Sequence, residues 1–267
     1  MRRNVIFIMN DSLRRDHVNV YGVQAPWSRP GHEGEPFVHT PCVDRLAESS
    51  MLFDRAYIAS YPTVPNRTDL YTGRFGFSTR GWQPLEPDDV ILPEIVKPYG
   101  YTTALFFDTP PMGTDSYNFT RGFDGWAYIR GHHADRWITD PRVPTDIDAD
   151  RHKIKNWGSL ERDEVNHSFR RYEKDYVAPK TITKAVEWLE DNRALDGFVL
   201  WVDTWDPHEP FDPPGHYLEL YADPEYHGQE IMYPQYGRPD YMSAEELNHV
   251  RALYAGEVTM VDTWVGQ

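Results

Sequence analysis

The apolar runs of the chain predict its strands. Residues 4–9, 101–107 and 197–204 form continuous runs rich in β-branched or aromatic side chains, and a less regular run covers 51–60. A continuous run, unlike an alternating one, is typical of a parallel strand that is covered on both faces of its sheet. We therefore expect residues 4–9 to form a central, buried first strand and the other three runs to be strands as well.

Segments with helical spacing lie between these runs. Residues 40–50 open with Thr-Pro and then repeat apolar residues at helical spacing, and a short helix ends at Gly100. Residues 180–193 carry apolar side chains along one helical face, and the segment that begins at Ser243 opens with a Ser-x-x-Glu capping box. Strands and helices thus alternate, which predicts an α/β fold: a doubly wound, mostly parallel sheet with helices on both faces.

Two stretches depart from this alternation. Residues 125–175 are rich in Trp, His, Arg and Asp with little periodicity, and we expect an irregular insertion there; the proline-rich residues 206–240 are expected to be loop. We otherwise treat 1–267 as a single α/β domain. Because the last predicted helix is still amphipathic at Val265 and has no cap, we expect the natural chain to continue and this fold to be incomplete at its C-terminus.

Composition and charge exclude some partners. The 267 residues carry a formal net charge of -15 with a pI near 5.1, whereas a nucleic-acid backbone requires clustered Lys and Arg. The first apolar run is too short for a signal peptide or a membrane span. Cys42, the single cysteine, excludes an intrachain disulfide and suits a reducing compartment. We therefore expect a cytoplasmic protein that binds neither nucleic acid nor membrane. The sequence is compatible with a homo-oligomer.

Acidic residues follow the predicted strands. Ligands of open α/β sheets bind outside the carboxyl ends of the strands. Asp11 follows the first strand, Asp108 follows the run at 101–107, and Asp203, Asp206 and His208 end or follow the run at 197–204. A carboxylate at the end of a buried strand is either a metal ligand or the cap of the next helix, and these alternatives stay open on the residues alone.

The stretch "TVPNR" raises a similar choice. A proline at 65 suits a first helical turn, so Thr63 is expected just ahead of a helix, where a threonine is usually a cap. His208 lies in a turn stiffened by prolines, which would hold its imidazole still, although a single loop histidine is usually only hydrated. His132 and His133 are expected in a hydrated surface loop.

In order along the chain, "NVIFIMNDSLRRDHVNVYG", "TPCVDRLAESSMLFDRAYIASYPTVPNRTDLYTGR", "GYTTALF", "RGFDGW", "DPHEPFDPP" and "YAGEVTMVDTWVG" resemble the N-terminal half of a sulfatase-like member of the alkaline phosphatase superfamily. The resemblance spans nearly the whole chain. Its most specific part is the sulfatase pattern of Cys or Ser, any residue, Pro, any residue and Arg, followed by Leu-x-Thr-Gly-Arg. Thr63 stands here at the nucleophile position.

That threonine changes the chemistry that the resemblance implies. In sulfatases the Cys or Ser is oxidised to formylglycine, and a threonine would not yield that aldehyde, so Thr63 would attack as itself. "TVPN" also resembles the Thr-x-Pro-Asn turn of nucleotide pyrophosphatase/phosphodiesterases, which implies that the Asn66 amide donates to a phosphoryl oxygen. Arg67 matches the sulfatase arginine that orients the nucleophile or the transferred group.

The resemblance also implies a divalent metal ion, which could be Ca, Mn, Mg or Zn. Asp11 would be its carboxylate ligand, next to Thr63 Oγ1, although the usual Asp-Asp pair is here Asp-Ser. Asp108 stands where sulfatases have a lysine and is a candidate ligand of a second cation or of a cationic substrate group, and Asp206 is a further candidate metal ligand. His208 matches the Asp-Pro-His turn as substrate donor, leaving-group acid or metal ligand. The family's Asp-His-Gly or Asp-Asn-Gly motif is absent from the sequence.

These features predict a metal-dependent hydrolase of phosphoric esters, acting on a small anionic ester through a covalent Thr63 intermediate. The substrates would be phosphodiesters or monoesters of the phosphonate or phosphate type. One alternative is a sulfuric ester hydrolase. The other is an inactive family member that keeps the fold and only binds.

Overall fold

The computed structural model describes residues 2–22 and 38–267 and contains one four-stranded sheet. Its strands are β1 (Val5–Asn10), β2 (Thr102–Phe107), β3 (Gly125–Tyr128) and β4 (Phe198–Thr204). All neighbouring strands pair in parallel, in the order β1-β4-β2-β3. The non-sequential order requires crossover connections, as expected for a parallel sheet. The predicted α/β class with a parallel sheet is confirmed.

The helices predicted outside residues 125–175 and 206–240 are present. The helix predicted over 180–193 is present, and the capping box of the last helix forms, with Ser243 Oγ accepting from the Glu246 N–H and Glu246 Oε2 accepting from the Ser243 N–H. None of the helices within residues 2–22 and 38–267 has both the length and the apolar character that a bilayer crossing requires. The α-helices are α1 (Pro41–Ala47), α2 (Thr63–Thr72), α3 (Leu92–Val96), α4 (Trp157–His167), α5 (Val177–Asp191), α6 (Gly215–Leu218) and α7 (Ala244–Val265), and the short 3₁₀ turns are Arg15–His17, Asn19–Tyr21, Lys97–Tyr99, Arg151–Lys153 and Glu173–Asp175.

The described residues form two compact units. The first unit comprises Met1–Asp11, Phe53–Arg130 and Lys180–Thr204, and it contains all four strands. The second comprises Ser12–Leu52, Gly131–Pro179 and Trp205–Gln267, and it contains α1, α4, α6 and α7. The single catalytic domain expected over 1–267 stays a prediction.

The sheet of the first unit has a helix on each face. On one face Trp201 of β4 contacts Tyr71 of α2, with ring centroids 4.6 Å apart, and Phe7 of β1 at 4.2 Å. On the other face Trp188 of α5 contacts Phe106 of β2 at 6.5 Å. Because side chains alternate along a strand, odd-numbered positions of β1 and β4 face α2. The expectation of helices on both faces is therefore met for this part of the chain.

Two expectations about strands are wrong. Residues 51–60 form no strand, and their apolar side chains are exposed, Tyr57 to 85%. β1 is not central: among the described residues it pairs with β4 alone, and Ile6 and Ile8 are 50% and 41% exposed. An apolar run indicates a tendency of its side chains to be buried. A strand also needs a neighbouring strand to pair with, and the apolar pattern does not specify the position of a strand in the sheet. The stretch 125–175 also contains β3 and α4, and 206–240 contains α6.

In the second unit, α7 supplies the cap of α1. Thr40, the residue before α1, makes no capping hydrogen bond. Instead the buried Asp262 accepts from the Cys42 N–H at 3.0 Å through Oδ2 and from the Val43 N–H at 2.8 Å through Oδ1. A carboxylate at this end also interacts favourably with the helix dipole. One residue near the end of the chain therefore anchors a helix more than 200 residues away.

We expect Asp262→Asn to lower the free energy of unfolding by about 1–2 kcal/mol, because one acceptor of the cap becomes an amide and its charge is lost. Urea denaturation monitored by circular dichroism measures the effect. Asp240→Asn is the matched control, since Asp240 is exposed and its replacement removes the same charge. Equal stability losses in the two variants would contradict the capping role.

Candidate active site

Thr63 is the first residue of α2. Pro62 occupies the preceding cap position, and no side chain caps this helix. The Thr63 side chain is buried, and its hydroxyl makes no hydrogen bond to another described residue. Thr63 is therefore not a helix cap. The helix also begins two residues earlier than Pro65, the predicted start, because proline is tolerated within the first turn.

The face of α2 that carries Thr63 lies against β4. Thr63, Arg67 and Tyr71 are each four residues apart and so share one helical face. Tyr71 packs on Trp201, and Arg67 contacts Asp203, two residues further along β4. At a rise of about 1.5 Å per residue, Thr63 lies about 6 Å beyond Arg67 along the axis. The hydroxyl thus stands past the carboxyl end of β4, where open α/β sheets bind ligands.

Arg67 is buried between two carboxylates. Its Nε and Nη2 donate to Asp203 Oδ2 and Oδ1 at 3.1 and 2.8 Å, and its Nη1 forms an ion pair with Asp11 Oδ2 at 2.9 Å. Burial alone would lower the pKa of Arg67, but Asp203 and Asp11 raise that pKa above its ordinary value. The guanidinium therefore stays charged, and the structure brings the predicted residues Asp11 and Arg67 together.

Asp11 and Thr63 provide oxygen atoms of the kind that divalent cations bind. Asp11 lies at the end of β1, on the face where Arg67 of α2 meets it, and Thr63 is one turn before Arg67. The Thr63 hydroxyl is a polar atom without a partner among the described residues, as a metal or substrate ligand would be. Carboxylate and hydroxyl oxygens suit Mg²⁺, Ca²⁺ and Mn²⁺. These residues fit the predicted cation.

Asp108 lies on the other face of the sheet. It is fully buried, and its Oδ2 accepts from the hydroxyl of Thr181 on α5 at 2.5 Å. Asp203 faces α2 instead, where it contacts Arg67. The structure therefore does not bring Asp108 together with Asp11 and Arg67. The proposed role of Asp108 as a ligand of a second cation stays a prediction.

In the second unit, one ring nitrogen of His208 is hydrogen bonded to the backbone. Its Nδ1 lies 2.8 Å from the backbone oxygen of Glu209, and because a carbonyl only accepts, Nδ1 must carry the proton. The Nε2 atom is then the basic atom of the neutral ring. The Trp205 ring packs against this imidazole at a tilt of 30°, with centroids 3.8 Å apart, and Asp206 is hydrogen bonded through Oδ1 to His132 Nε2 at 2.5 Å. The predicted substrate and metal roles of His208 and Asp206 stay predictions.

His132 and His133 are not in a hydrated surface loop, contrary to expectation. His132 is buried against Asp206, and the His133 N–H donates to Asp163 Oδ1 at 2.6 Å while its Nε2 lies 3.3 Å from the Tyr233 hydroxyl. Burial, followed by the nearby His132 and His208, lowers the pKa of His133 to about 3. The paired histidines were visible in the sequence, but their distant partners were not.

A second group of side chains resembles a metal site. Asp163, His167 and Asp212 offer three ligand atoms within 4.8 Å of one another. However, the guanidinium of Arg170 forms an ion pair with Asp212, and its Nη2 lies 2.7 Å from His167 Nε2. Arg170 and His167 already pair with the two carboxylates. We therefore describe this group, which the sequence did not reveal, as an ion-pair network of the second unit.

At the carboxyl edge of the parallel sheet, the structure thus places the start of α2, which carries the unpartnered Thr63 hydroxyl, one helical turn from the buried Arg67 and its ion pair with Asp11. Residues 3–267 match the family model described as Sulfatase. The chain therefore belongs to the sulfatase family, whose members are ester hydrolases of the alkaline phosphatase superfamily.

Three similar proteins illustrate the relationship. An N-acetylglucosamine-6-O-sulfatase of Bacteroides thetaiotaomicron is 23% identical over 82% of this chain and 33% of its own length. An uncharacterised sulfatase of Escherichia coli is 26% identical over 83% of this chain and 42% of its own. The crystal structure of a phosphonate monoester hydrolase of Agrobacterium radiobacter superposes with a TM-score of 0.67 at 21% identity, over 99% of this chain and 58% of the other. The chain thus spans less than two thirds of the length of each.

We expect His133→Asn to flatten the acid side of the stability curve. Between the ordinary pKa of 6.5 and the native value of about 3, the unfolded chain binds a proton that the folded protein does not, so the free energy of unfolding falls as the pH drops through this range. Asparagine removes this contribution. The stability advantage of the wild type over the variant should therefore shrink from pH 7 to pH 4.

Urea denaturation at several pH values in this range measures that difference. His227→Asn serves as control, since His227 is exposed, and its difference from the wild type should be the same at every pH. A pH-independent difference for His133→Asn would contradict a partly buried His133 that is neutral in the folded protein.

Proposed function

We propose that the protein hydrolyses esters of phosphoric or phosphonic acid by transferring the phosphorus-containing group to Thr63 Oγ1. The observation that carries this proposal is the Thr63 hydroxyl itself. It is at the start of α2, has no hydrogen-bond partner among the described residues, and lies on the helix face that holds Arg67 and Asp11. In the proposed step Thr63 Oγ1 loses its proton and bonds to phosphorus while the ester oxygen leaves and is protonated to the alcohol; water then cleaves the Thr63 ester, which releases the acid and restores the hydroxyl.

The start of α2 is suited to an anionic substrate. The positive end of the helix dipole lies at Thr63, and such helix ends bind phosphate-like groups. Asn66 is three residues further, on the same side of the helix, and its half-buried amide makes no hydrogen bond to a described residue. Its amide N–H can therefore donate to an oxygen of the transferred group, where charge develops in the transition state.

Asp11 and Thr63 would hold the divalent cation. When bound, the cation supplies positive charge that favours the ionised hydroxyl and offsets the charge of the substrate. An oxygen-only donor pair favours Ca²⁺, Mg²⁺ or Mn²⁺ over Zn²⁺. Arg67, whose three guanidinium nitrogens all contact carboxylates, orients Asp11 rather than offering a free positive charge.

Hydrolysis of sulfuric esters is the second candidate. It is favoured by the sulfatase family and by the sulfatase names of the similar proteins from Bacteroides thetaiotaomicron and Escherichia coli. The fold does not decide, because phosphonate monoester hydrolases share it. We place phosphorus first because an unmodified threonine hydroxyl is a sufficient nucleophile for phosphoryl transfer. We also propose a small anionic ester as the substrate and the cytoplasm as the location.

We expect turnover of aryl phosphodiesters and of phosphonate or phosphate monoesters to exceed turnover of aryl sulfates. The assay uses the purified protein, with any residues that its gene encodes beyond Gln267, and added Mg²⁺, Mn²⁺, Ca²⁺ or Zn²⁺ in turn. Preferred turnover of sulfates would support the second candidate instead. A protein that hydrolyses none of these esters and binds none of these ions would be an inactive family member.

We expect Thr63→Ala to reduce kcat on the best substrate by about a thousandfold or more, since it removes the nucleophilic atom. Thr63→Ser keeps a hydroxyl at the same carbon and should retain more activity than the alanine variant. Thr72→Ala, which removes a hydroxyl from the other end of α2, is the matched control and should be nearly as active as the wild type. Full turnover by Thr63→Ala would rule out the proposed nucleophile.

A further inference from the structure

We propose that Asp203 is a positioning residue, which holds and neutralises Arg67 so that Asp11 keeps its negative charge for a divalent cation. This inference rests on the proposed function, which assigns that cation to Asp11. The resemblance to the family implies no role for Asp203. Its place at the end of β4 and its contacts are what suggest one.

Asp203 has no oxygen left for a metal ion. Its Oδ1 accepts from Arg67 Nη2 at 2.8 Å and from the Thr109 hydroxyl at 2.5 Å. Its Oδ2 accepts from Arg67 Nε at 3.1 Å and from Trp201 Nε1 at 3.4 Å. A carboxylate offers about four lone-pair sites, and each of these is directed to a protein donor. Asp203 is also fully buried.

These contacts fix the direction in which Arg67 meets Asp11. The guanidinium group is planar and rigid, so two bonds through Nε and Nη2 determine where Nη1 lies. Nη1 is the nitrogen that forms the 2.9 Å ion pair with Asp11 Oδ2. Asp203 therefore positions Asp11 indirectly, through the rigid guanidinium group of Arg67.

The negative charge of Asp203 has a second effect, which is to offset the positive charge of Arg67. Arg67 carries one positive charge, and it is shared between Asp203 and Asp11. If residue 203 were neutral, no second carboxylate would offset the positive charge of Arg67 beside Asp11, and that charge would oppose the binding of a cation to the same carboxylate. At a buried site this competition is strong, because the effective dielectric constant is well below that of water.

The test is the affinity for Mn²⁺, measured by isothermal titration calorimetry on the wild type and on Asp203→Asn. We expect Asp203→Asn to bind Mn²⁺ about tenfold more weakly or worse, from the loss of one charge near the site. Asp89→Asn is the matched control. Asp89 is a buried aspartate of the same unit in a two-bond pair with Arg80, at 2.7 and 2.6 Å, with no described contact to Asp11. Its variant should bind Mn²⁺ within twofold of the wild type, even with a similar fall in Tm.

The double variant Arg67→Gln/Asp203→Asn separates this role from a merely structural one. Removing the guanidinium as well relieves Asp11 of its competitor, so the double variant should bind Mn²⁺ more tightly than Asp203→Asn. A structural role predicts the opposite order, since two native contacts are then lost. If Asp203→Asn does not fold, the double variant is compared with Arg67→Gln, and it should bind more weakly because it has one negative charge fewer.

The outcomes distinguish this inference from the proposed function. Wild-type binding of Mn²⁺ that weakens in Asp203→Asn supports the inference whichever ester is hydrolysed. Equal affinity in Asp203→Asn and the wild type, equal weakening in Asp89→Asn, or a wild type that binds no Mn²⁺ overturns it. Turnover of sulfates rather than phosphoric esters would overturn only the proposed substrate.

Discussion

A guanidinium group buried between two carboxylates joins three elements of the first unit. Arg67 comes from α2, Asp203 from β4, and Asp11 directly follows β1. A buried charge without partners is very unfavourable, so α2 must lie where Arg67 reaches both carboxylates. The Tyr71–Trp201 contact one turn away is consistent with the same placement. The position of Thr63 is then determined as well, because Thr63 lies on α2 one helical turn before Arg67.

The fold could be predicted where the pattern is local. The strands and the long helices follow from apolar runs, helical spacing and the Ser243 capping box, each of which depends on neighbouring residues. The order of strands does not, because a strand's partners are distant in sequence. For the same reason the apolar pattern alone wrongly places β1 at the centre of the sheet and wrongly predicts a strand at residues 51–60. The cap of α1 by Asp262 was also unpredictable, since it links residues about 220 positions apart.

The candidate site was predictable in its members but not in their arrangement. The rule about strand ends identified Asp11, Asp108 and Asp203, and the motif identified Thr63 and Arg67. Strand alternation then separates them: Asp203 faces α2, and Asp108 contacts α5 on the opposite face. The pairing of His132 with Asp206, 74 residues away, leaves no signal in the neighbouring sequence. Two adjacent polar histidines are typical of a surface loop, and only the distant partner shows that His132 is buried.

The contacts of Arg67 restrict how this site can handle an anionic ester. All three nitrogens of its guanidinium contact Asp11 or Asp203, and the side chain is buried. Its charge is therefore balanced within the protein and adds little attraction for a substrate. Among the residues of α2 that the structure describes, the groups at its start are the helix dipole, the Asn66 amide and the Thr63 hydroxyl, none of which carries a full positive charge. If a phosphoryl or sulfuryl group is transferred to Thr63 as proposed, these groups leave most of the developing charge to be offset by the proposed cation, and turnover would then require metal binding.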